Sequence, residues 1–156
     1  MKTIASIEEM KNWSHITHSS SKKIGLIATM GCLHSGHLSL IKSSVTECDA
    51  TVVSIFVNPI QFNPNEDFDS YPRNIESDKK ILQTTGIDVL FNPKQEELYP
   101  KTFQTFVVVE DKTNYLCGES RPGFFRGVTT IVLKLFNIVS PNIAYFGEKD
   151  WQQLEV

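Results

Sequence analysis

Short apolar runs alternate with stretches of helical periodicity along most of this chain. The runs cover residues 24–30, 50–57, 87–91 and 143–146, and each is followed by a segment of glycine, proline, asparagine or charged residues. The second run is apolar almost throughout, as expected of a strand whose two faces are both covered in a parallel sheet. Strands separated by helices predict a Rossmann-like α/β fold with a doubly wound parallel sheet and right-handed crossovers.

The clearest helical pattern covers residues 128–139, where apolar side chains recur at i, i+3, i+4, i+7, i+8 and i+11. A second helix is expected to begin at Ser35, which would cap it. Four apolar residues at i, i+3, i+7 and i+10 predict the buried face of that second helix: Leu38, Ile41, Val45 and Cys48.

Weaker patterns predict the remaining elements. Ser6 begins a capping-box pattern, which indicates a short first helix. Residues 73–85 are expected to form a further helix, and a helix is expected to start at Trp151. The β-rich segment 103–110 predicts a peripheral strand, and the glycines and proline of residues 118–123 predict a loop.

The turn after the first apolar run carries the most distinctive side chains. His34 and His37 lie three residues apart, with Gly36 beside the second histidine, at a predicted strand-to-helix junction. A helix N-terminus binds phosphate through its free N–H groups and its dipole. Two imidazole donors at this point favour a site that stabilises charge on a transferring phosphoryl group. The alternatives are two ordinary surface histidines or a zinc site, although no third zinc ligand lies nearby in sequence.

Two other predicted strand ends carry candidate binding residues, and a parallel sheet would bring all three ends to one edge. Asn58 and Gln61 are uncharged amides suited to binding a substrate carboxylate or hydroxyl, although turn capping by asparagine also explains Asn58. In the segment 147–150, Lys149 would meet phosphate, and Asp150 would cap a helix or contact ribose or hydrated magnesium. A solvated charged turn is the alternative. The Walker and dinucleotide glycine patterns are absent from the sequence.

Composition narrows the class of protein. The chain has 156 residues and a net charge of -3, with no basic block that would favour a nucleic-acid partner. Its three cysteines form no C-x-x-C pair, which fits a reducing cytoplasm and argues against a zinc ribbon or a disulfide framework. Glu8 and Glu9 interrupt any apolar signal-peptide region, and the run 52–57 is too short to span a membrane. We therefore expect a cytoplasmic protein.

Seven segments together resemble the pantoate–β-alanine ligase (pantothenate synthetase) family. The H-x-G-H pattern alone marks the broad nucleotidylyl transferase superfamily, whereas V-N-P-x-Q-F and G-E-K-D-x-Q-Q are much more specific. The matching segments run in family order across almost the whole chain, at residues 29–31, 34–37, 54–62, 71–73, 120–123, 125–128 and 146–154. The resemblance implies a nucleotidylyl transferase type of Rossmann-like domain over residues 1–156.

The family reaction has two steps. The carboxylate of (R)-pantoate attacks the α-phosphorus of magnesium ATP, which gives pantoyl adenylate and pyrophosphate. The amine of β-alanine then attacks the acyl group, which gives pantothenate and AMP. The resemblance implies no dedicated protein metal site, because Mg²⁺ arrives with ATP.

The resemblance also assigns residues to these steps. His37 is implied to be catalytic, together with His34, and Gln61 and Gln153 are implied to bind pantoate, with Gln61 also near β-alanine. Asn58 and Tyr71 would line the same site. The implied ATP contacts are Met30, Gly31, Cys32, Leu33, His34, Ser35, Gly36, His37, Gly147, Glu148, Lys149 and Asp150.

Three departures from the family pattern affect these expectations. Ala28 stands where the family usually has proline, and Phe124 stands where histidine is common. The third departure is that the sequence contains no Ser-Ser-Arg segment of the family's C-terminal lid domain. We therefore expect an N-terminal nucleotide-binding domain from a longer protein that binds ligands but catalyses weakly. The resemblance further implies a homodimer.

Two rival functions remain at this point. One is a different adenylyl or cytidylyl transferase of the same superfamily, which would not require the Gln61 and Gln153 pair. The other is a non-catalytic nucleotide-binding or dimerisation module, in which the apolar face of helix 128–139 would pack across a two-fold axis. Ordinary packing of that face inside one chain is the simpler interpretation.

Overall fold

Five parallel strands form one sheet at the centre of the chain in a computed structural model, which describes residues 1–63, 66 and 68–156. The spatial order is β1-β4-β3-β2-β5, and every neighbouring pair is parallel. This arrangement confirms the predicted α/β class. The strands are β1 Lys2–Ile4, β2 Ile24–Thr29, β3 Ala50–Ile55, β4 Val89–Phe91 and β5 Ile143–Tyr145.

Helices connect the strands and cover the sheet. Short 3₁₀ turns follow β3 at Pro59–Gln61, precede α5 at Asp111–Thr113, and follow β5 at Glu148–Asp150. Among the described residues, no helix is both long enough and apolar enough to cross a membrane. The helices are α1 Ile7–Ser19, α2 Ser35–Glu47, α3 Ile75–Leu82, α4 Gln95–Leu98, α5 Cys117–Ser120, α6 Phe124–Val139 and α7 Trp151–Glu155.

Alternate residues of β3 contribute to two separate hydrophobic clusters. Val52 packs in the cluster that contains Met10 of α1 and Leu135 of α6, whereas Val53 packs with Ile41 of α2. Successive strand residues point to opposite faces, so the sheet is covered on both sides. The sheet is therefore doubly wound, as predicted.

The amphipathic helix α6 serves the core of its own chain. Ile131, Leu135, Ile138 and Val139 are all buried in the cluster shared with the sheet. The simpler of the two interpretations of its periodicity therefore accounts for these residues, while Leu133 remains 45% exposed.

The direction of the sheet places three strand exits at one edge. The turn after β2 begins at Met30, β3 is followed by the 3₁₀ turn Pro59–Gln61, and β5 is followed by Glu148–Asp150. Strand β2 lies between β3 and β5: the chain passes from β2 to β3 on one side, and later crosses from β4 back to β5 on the other side. Such a switch point opens a crevice at the carboxyl ends of the strands.

Several predicted elements need correction. The segment 103–110 forms no strand, because Thr129 and Thr130 of α6 hydrogen-bond the backbone of Val107 in place of a partner strand. His34, not Ser35, caps α2, because its side chain accepts the Gly36 N–H.

Other differences concern element boundaries. Part of the predicted loop 118–123 is helix α5, and α6 starts at Phe124, four residues earlier than its apolar pattern. Val45 on the predicted inner face of α2 is 38% exposed. Pro64, Asn65 and Asp67, which follow β3 in the sequence, lie outside the described residues.

Candidate active site

The turn after β2 is held by the side chain of Thr29 at the end of β2 and by that of Asp78 on α3. Thr29 donates its hydroxyl to the Ser54 carbonyl at 2.9 Å and accepts the Gly31 N–H at 3.1 Å. The buried carboxylate of Asp78 on α3 accepts the N–H groups of Cys32 and Leu33, both at 2.9 Å. Gly31 and Cys32 have φ angles of 87° and 52°, and these bonds fix that left-handed pair.

Each of the two histidines that follow this turn directs its Nδ1 toward a backbone N–H. His34 accepts the Gly36 N–H on Nδ1 at 3.1 Å, and the His37 Nδ1 lies 3.4 Å from the His34 backbone nitrogen. Since each Nδ1 faces a backbone donor, the neutral ring carries its proton on Nε2. The ring centroids are 4.1 Å apart, so the two Nε2–H donors serve one small region.

Electrostatics favour a neutral His37. Partial burial lowers the pKa of His37, and the neighbouring His34 lowers it further, while Asp78 and Asp150 oppose the shift. At neutral pH the ring therefore acts as a hydrogen-bond donor through Nε2 without carrying a full charge.

One cavity of about 340 Å³ joins the three strand exits. His34 and His37 line it beside the exposed Lys149 and Asp150, whose side chains approach to 3.8 Å. The opposite wall is apolar and comes from the sheet, from α6 and from Phe146. These apolar lining residues are Ala28, Phe56, Val128, Ile131, Val132, Leu135 and Phe146.

Two glutamines face this cavity, and each is positioned by a neighbour. Gln61 is buried and accepts a hydrogen bond from Asn58 Nδ2 at 3.0 Å. Gln153 lies on α7, next to the buried Gln152. Gln152 accepts the Cys117 N–H and donates to the carbonyls of Lys112 and Tyr115, so it anchors α7 to the chain before α5.

Comparison with known families gives a match over almost the whole chain. The profile of the family described as pantoate-beta-alanine ligase matches residues 2–156. The chain belongs to this family.

The pantoate–β-alanine ligase family includes curated relatives that match the chain from end to end. The pantothenate synthetases of Thermotoga petrophila and Thermosipho africanus are 54% and 55% identical over 156 residues. Each alignment covers 100% of this chain and 56% of the relative. The chain therefore spans about half the length of the curated relatives it matches.

Solved structures agree with the family and with the fold. The pantothenate synthetase of Thermus thermophilus has a TM-score of 0.92 and 44% identity, with coverage of 99% of this chain and 54% of that one. The pantoate-beta-alanine ligase of Francisella tularensis, complexed with beta-gamma ATP and beta-alanine, has a TM-score of 0.91 and 44% identity. That match covers 99% of this chain and 59% of the Francisella chain.

The structure brings most of the predicted site residues to the cavity wall. Tyr71 joins them from the loop before α3, and burial raises its pKa, so its hydroxyl stays protonated. The predicted residues that line the cavity are Met30, Gly31, His34, His37, Asn58, Gln61, Tyr71, Lys149, Asp150 and Gln153.

Six predicted ATP contacts lie away from the cavity wall. The Cys32 side chain is exposed, with Sγ 3.4 Å from the Pro72 carbonyl, and Leu33 packs against the α2 side of the core. Their roles stay predictions. The six residues are Cys32, Leu33, Ser35, Gly36, Gly147 and Glu148.

Two residues of the site were missed in the sequence. The helical spacing of the sequence could have indicated Asp78, because it lies three residues after Ile75 and four before Leu82, on the inner face of α3. An acid in that position predicts a buried partner. Tyr99 had no such signal, because its contact with Asn58 joins residues 41 apart.

The described residues contain no group of three or more histidine, cysteine, aspartate or glutamate side chains that could hold a metal ion. That the protein has no metal site of its own stays a prediction. The side chain of Asp150 is 63% exposed at the cavity rim, where it is accessible to a metal ion carried by a nucleotide.

Proposed function

We propose that this chain carries the adenylate-forming site of a ligase that joins (R)-pantoate to β-alanine with ATP. The observation that supports it best is the shared cavity, in which two imidazole donors, Lys149 and two glutamine amides face one space. The pantoate carboxylate attacks the α-phosphorus of ATP, and pyrophosphate leaves. The β-alanine amine then displaces AMP from the acyl carbon, and pantothenate forms.

ATP occupies the side of the cavity between the β2 and β5 exits. His34 and His37 direct Nε2–H donors toward the α-phosphate, where negative charge grows during attack. Lys149 adds a positive charge beside them at the cavity rim. Because the donors are held by backbone contacts before ATP arrives, little reorganisation is needed in the transition state.

Pantoate occupies the side between Gln61, Gln153 and the apolar wall. Uncharged amides bind a carboxylate or hydroxyl without trapping the nucleophile as an ion pair. The branched hydrocarbon part of pantoate suits the surface formed by Phe56, Val132 and Phe146. β-Alanine enters beside Gln61, and the Francisella ligase complexed with beta-gamma ATP and beta-alanine supports this pair of ligands.

Mg²⁺ belongs to the ATP complex in this proposal, with Asp150 as the carboxylate that faces it from the cavity rim. The family resemblance implies a homodimer, and the three cysteines without a C-x-x-C pair fit a cytoplasmic location. The activity of the 156-residue chain is proposed to be weak, because the sequence contains no Ser-Ser-Arg segment of the kind that closes over ATP in the family.

The deciding experiment is pantoate-dependent exchange of radiolabelled pyrophosphate into ATP. We expect measurable but slow exchange with this chain and faster exchange with the full-length Thermotoga petrophila relative assayed alongside. Exchange that proceeds equally without pantoate would favour a different nucleotidylyl transferase. Exchange at equal rates in the two proteins would overturn the proposal of weak activity but leave the proposed reaction in place.

A further inference from the structure

Polar groups from four parts of the chain meet beside Gln61. Asn58 Nδ2 donates to Gln61 Oε1 at 3.0 Å and to the Gly127 carbonyl at 3.1 Å. The Tyr99 hydroxyl donates to Asn58 Oδ1 at 2.8 Å. Gln61 Nε2 in turn lies 3.0 Å from Met30 Sδ. Asn58 is 1% exposed, so the residue at the centre of this cluster is shielded from water.

The donor-to-acceptor direction of the hydrogen bonds in the cluster follows from the Gly127 carbonyl, which can only accept a hydrogen bond. Asn58 must therefore turn Nδ2 toward Gly127, and its two amide hydrogens are used by Gly127 and Gln61. Gln61 must accept with Oε1, which turns its Nε2 away from Asn58. One Nε2 hydrogen faces Met30, and the other is left for the cavity. Gln61 is thus presented to a ligand as a donor.

Close packing keeps the Gly127 carbonyl in place. A Cβ at Gly127 would lie 2.5 Å from Gln61 Cα and 2.5 Å from the Ile60 carbonyl oxygen, so α6 touches the turn directly. Only glycine permits that approach. The remaining support for Asn58 is a side chain, the hydroxyl of Tyr99.

The surroundings of Tyr99 hold its hydroxyl as a hydrogen-bond donor to Asn58 Oδ1. Its ring is held between aromatic neighbours, with centroids 6.0 Å from Phe56 and 4.9 Å from Phe103. Burial raises the pKa of Tyr99, so the hydroxyl keeps its proton. Without this hydroxyl, the buried Oδ1 of Asn58 would have no donor among the residues that the structure describes, and Asn58 would gain by rotating away from Gln61.

We infer that Tyr99 is a positioning residue, whose hydroxyl holds Asn58 against the Gly127 carbonyl and so fixes Gln61 with an N–H toward the cavity. The fixed amide selects a hydrogen-bond acceptor, such as a carboxylate or hydroxyl oxygen, on the bound acid. The inference rests on the proposed function only for the identity of that acid, (R)-pantoate. The orientation of Gln61 itself concerns the free protein.

The first test therefore uses no ligand. In Tyr99→Phe, the side-chain amide NMR signals of Asn58 and Gln61 should shift and exchange faster with water, whereas Tyr115→Phe should leave them unchanged. Tyr115 is a matched control because it is 44% exposed and lies outside the cavity. Unchanged Gln61 signals in Tyr99→Phe would overturn the inference whatever the protein binds.

The second test measures dissociation constants by calorimetry. Tyr99→Phe should weaken pantoate binding by about fivefold, the scale of one net hydrogen bond, and leave ATP binding unchanged. In a Gln61→Ala background the same substitution should have no further effect on pantoate. Replacement of Tyr99 by 4-aminophenylalanine, which restores a donor, should recover the affinity.

The outcomes separate the two claims. No pantoate binding by the wild-type chain would count against the proposed function, and the NMR arm would still decide the role of Tyr99. Wild-type binding with equal affinity in Tyr99→Phe would overturn the inference alone. An effect that persists without Gln61, or that weakens ATP equally, would also overturn it, because Tyr99 would then act through general stability.

Discussion

The side of the cavity proposed to bind ATP (the phosphate side) and the side proposed to bind pantoate (the acid side) are built in different ways. On the phosphate side, His34 and His37 are oriented by backbone groups two or three residues away. On the acid side, Asn58 is held by partners 41 and 69 residues distant. The first side is set mainly by a local turn, and the second exists only after the sheet, α4 and α6 have assembled.

The two sides also differ in burial and charge. Lys149 is 91% exposed in its side chain and His34 is exposed, whereas Asn58 and Gln61 are buried and uncharged. An exposed charged side suits a polyanion that arrives with its own counterion. A buried neutral side suits selection among small acids, because an unpaired polar group there costs free energy. Substitutions should therefore separate catalysis from selection.

The largest expected effect is on the phosphate side. His37→Ala should slow pantoate-dependent pyrophosphate exchange by about 10²–10³-fold, because it removes one preorganised donor to the α-phosphate. Pantoate affinity, measured by calorimetry, should change little. His15→Ala on the exposed surface of α1 is the matched control. An unchanged exchange rate in His37→Ala would remove this residue from its proposed role.

The same comparison explains what could be predicted from the sequence. The apolar runs predicted four of the strands, and H-x-G-H predicted the histidine turn, because both signals are local. Strand β1 gave no apolar run, because Ile4 is the only apolar and buried residue of its three. The segment 103–110 has strand composition, but the threonines of α6 bind its backbone at Val107. Tyr99 and the Gly127 carbonyl reach Asn58 only through long-range packing.

Asp78 is an exception to the local construction of the phosphate side, because it lies on α3 and bonds the backbone of the turn after β2. Asp78→Ala removes the acceptor for two backbone N–H groups, and should lower the free energy of unfolding by about 3 kcal/mol, the upper range for bonds to a charged group. Asp78→Asn keeps one acceptor and should lose less. Urea denaturation measures both, with the exposed Asp111→Ala as control. Equal stability of all three variants would show that the turn forms without Asp78.

Gln152 and Gln153 are adjacent on α7, and their substitution should separate stability from ligand binding on the acid side. Gln152→Ala should lower stability by about 1–3 kcal/mol, since it removes a buried side chain that bonds three backbone groups. Gln153→Ala should leave stability within about 0.5 kcal/mol of wild type and weaken pantoate by about tenfold. Thermal unfolding and calorimetry together give both numbers. If Gln152→Ala weakened pantoate binding and Gln153→Ala lowered stability, Gln153 would not be a pantoate ligand.

The smallest expected effect is the electrostatic influence of His34 on the pKa of His37. Burial and the neighbouring His34 lower the pKa of His37 below its ordinary value of 6.5. The unfolded chain therefore takes up this proton first, so the contribution of neutral His37 to stability is present above pH 6.5. It is lost as the pH falls toward the folded-state pKa, where protonation also removes the Nδ1 acceptor for the His34 N–H.

His34→Ala should raise the pKa of His37 toward 6.5, because a like charge is removed, although burial should keep it below that value. The Hε1 proton of His37, followed by NMR from pH 4 to pH 8 (about four units, enough to bracket a histidine titration), reports the change. His15→Ala should not move it. A His37 pKa that stays constant in His34→Ala would mean that the neighbouring ring at 4.1 Å does not influence it, and that burial alone keeps the phosphate-side donor neutral.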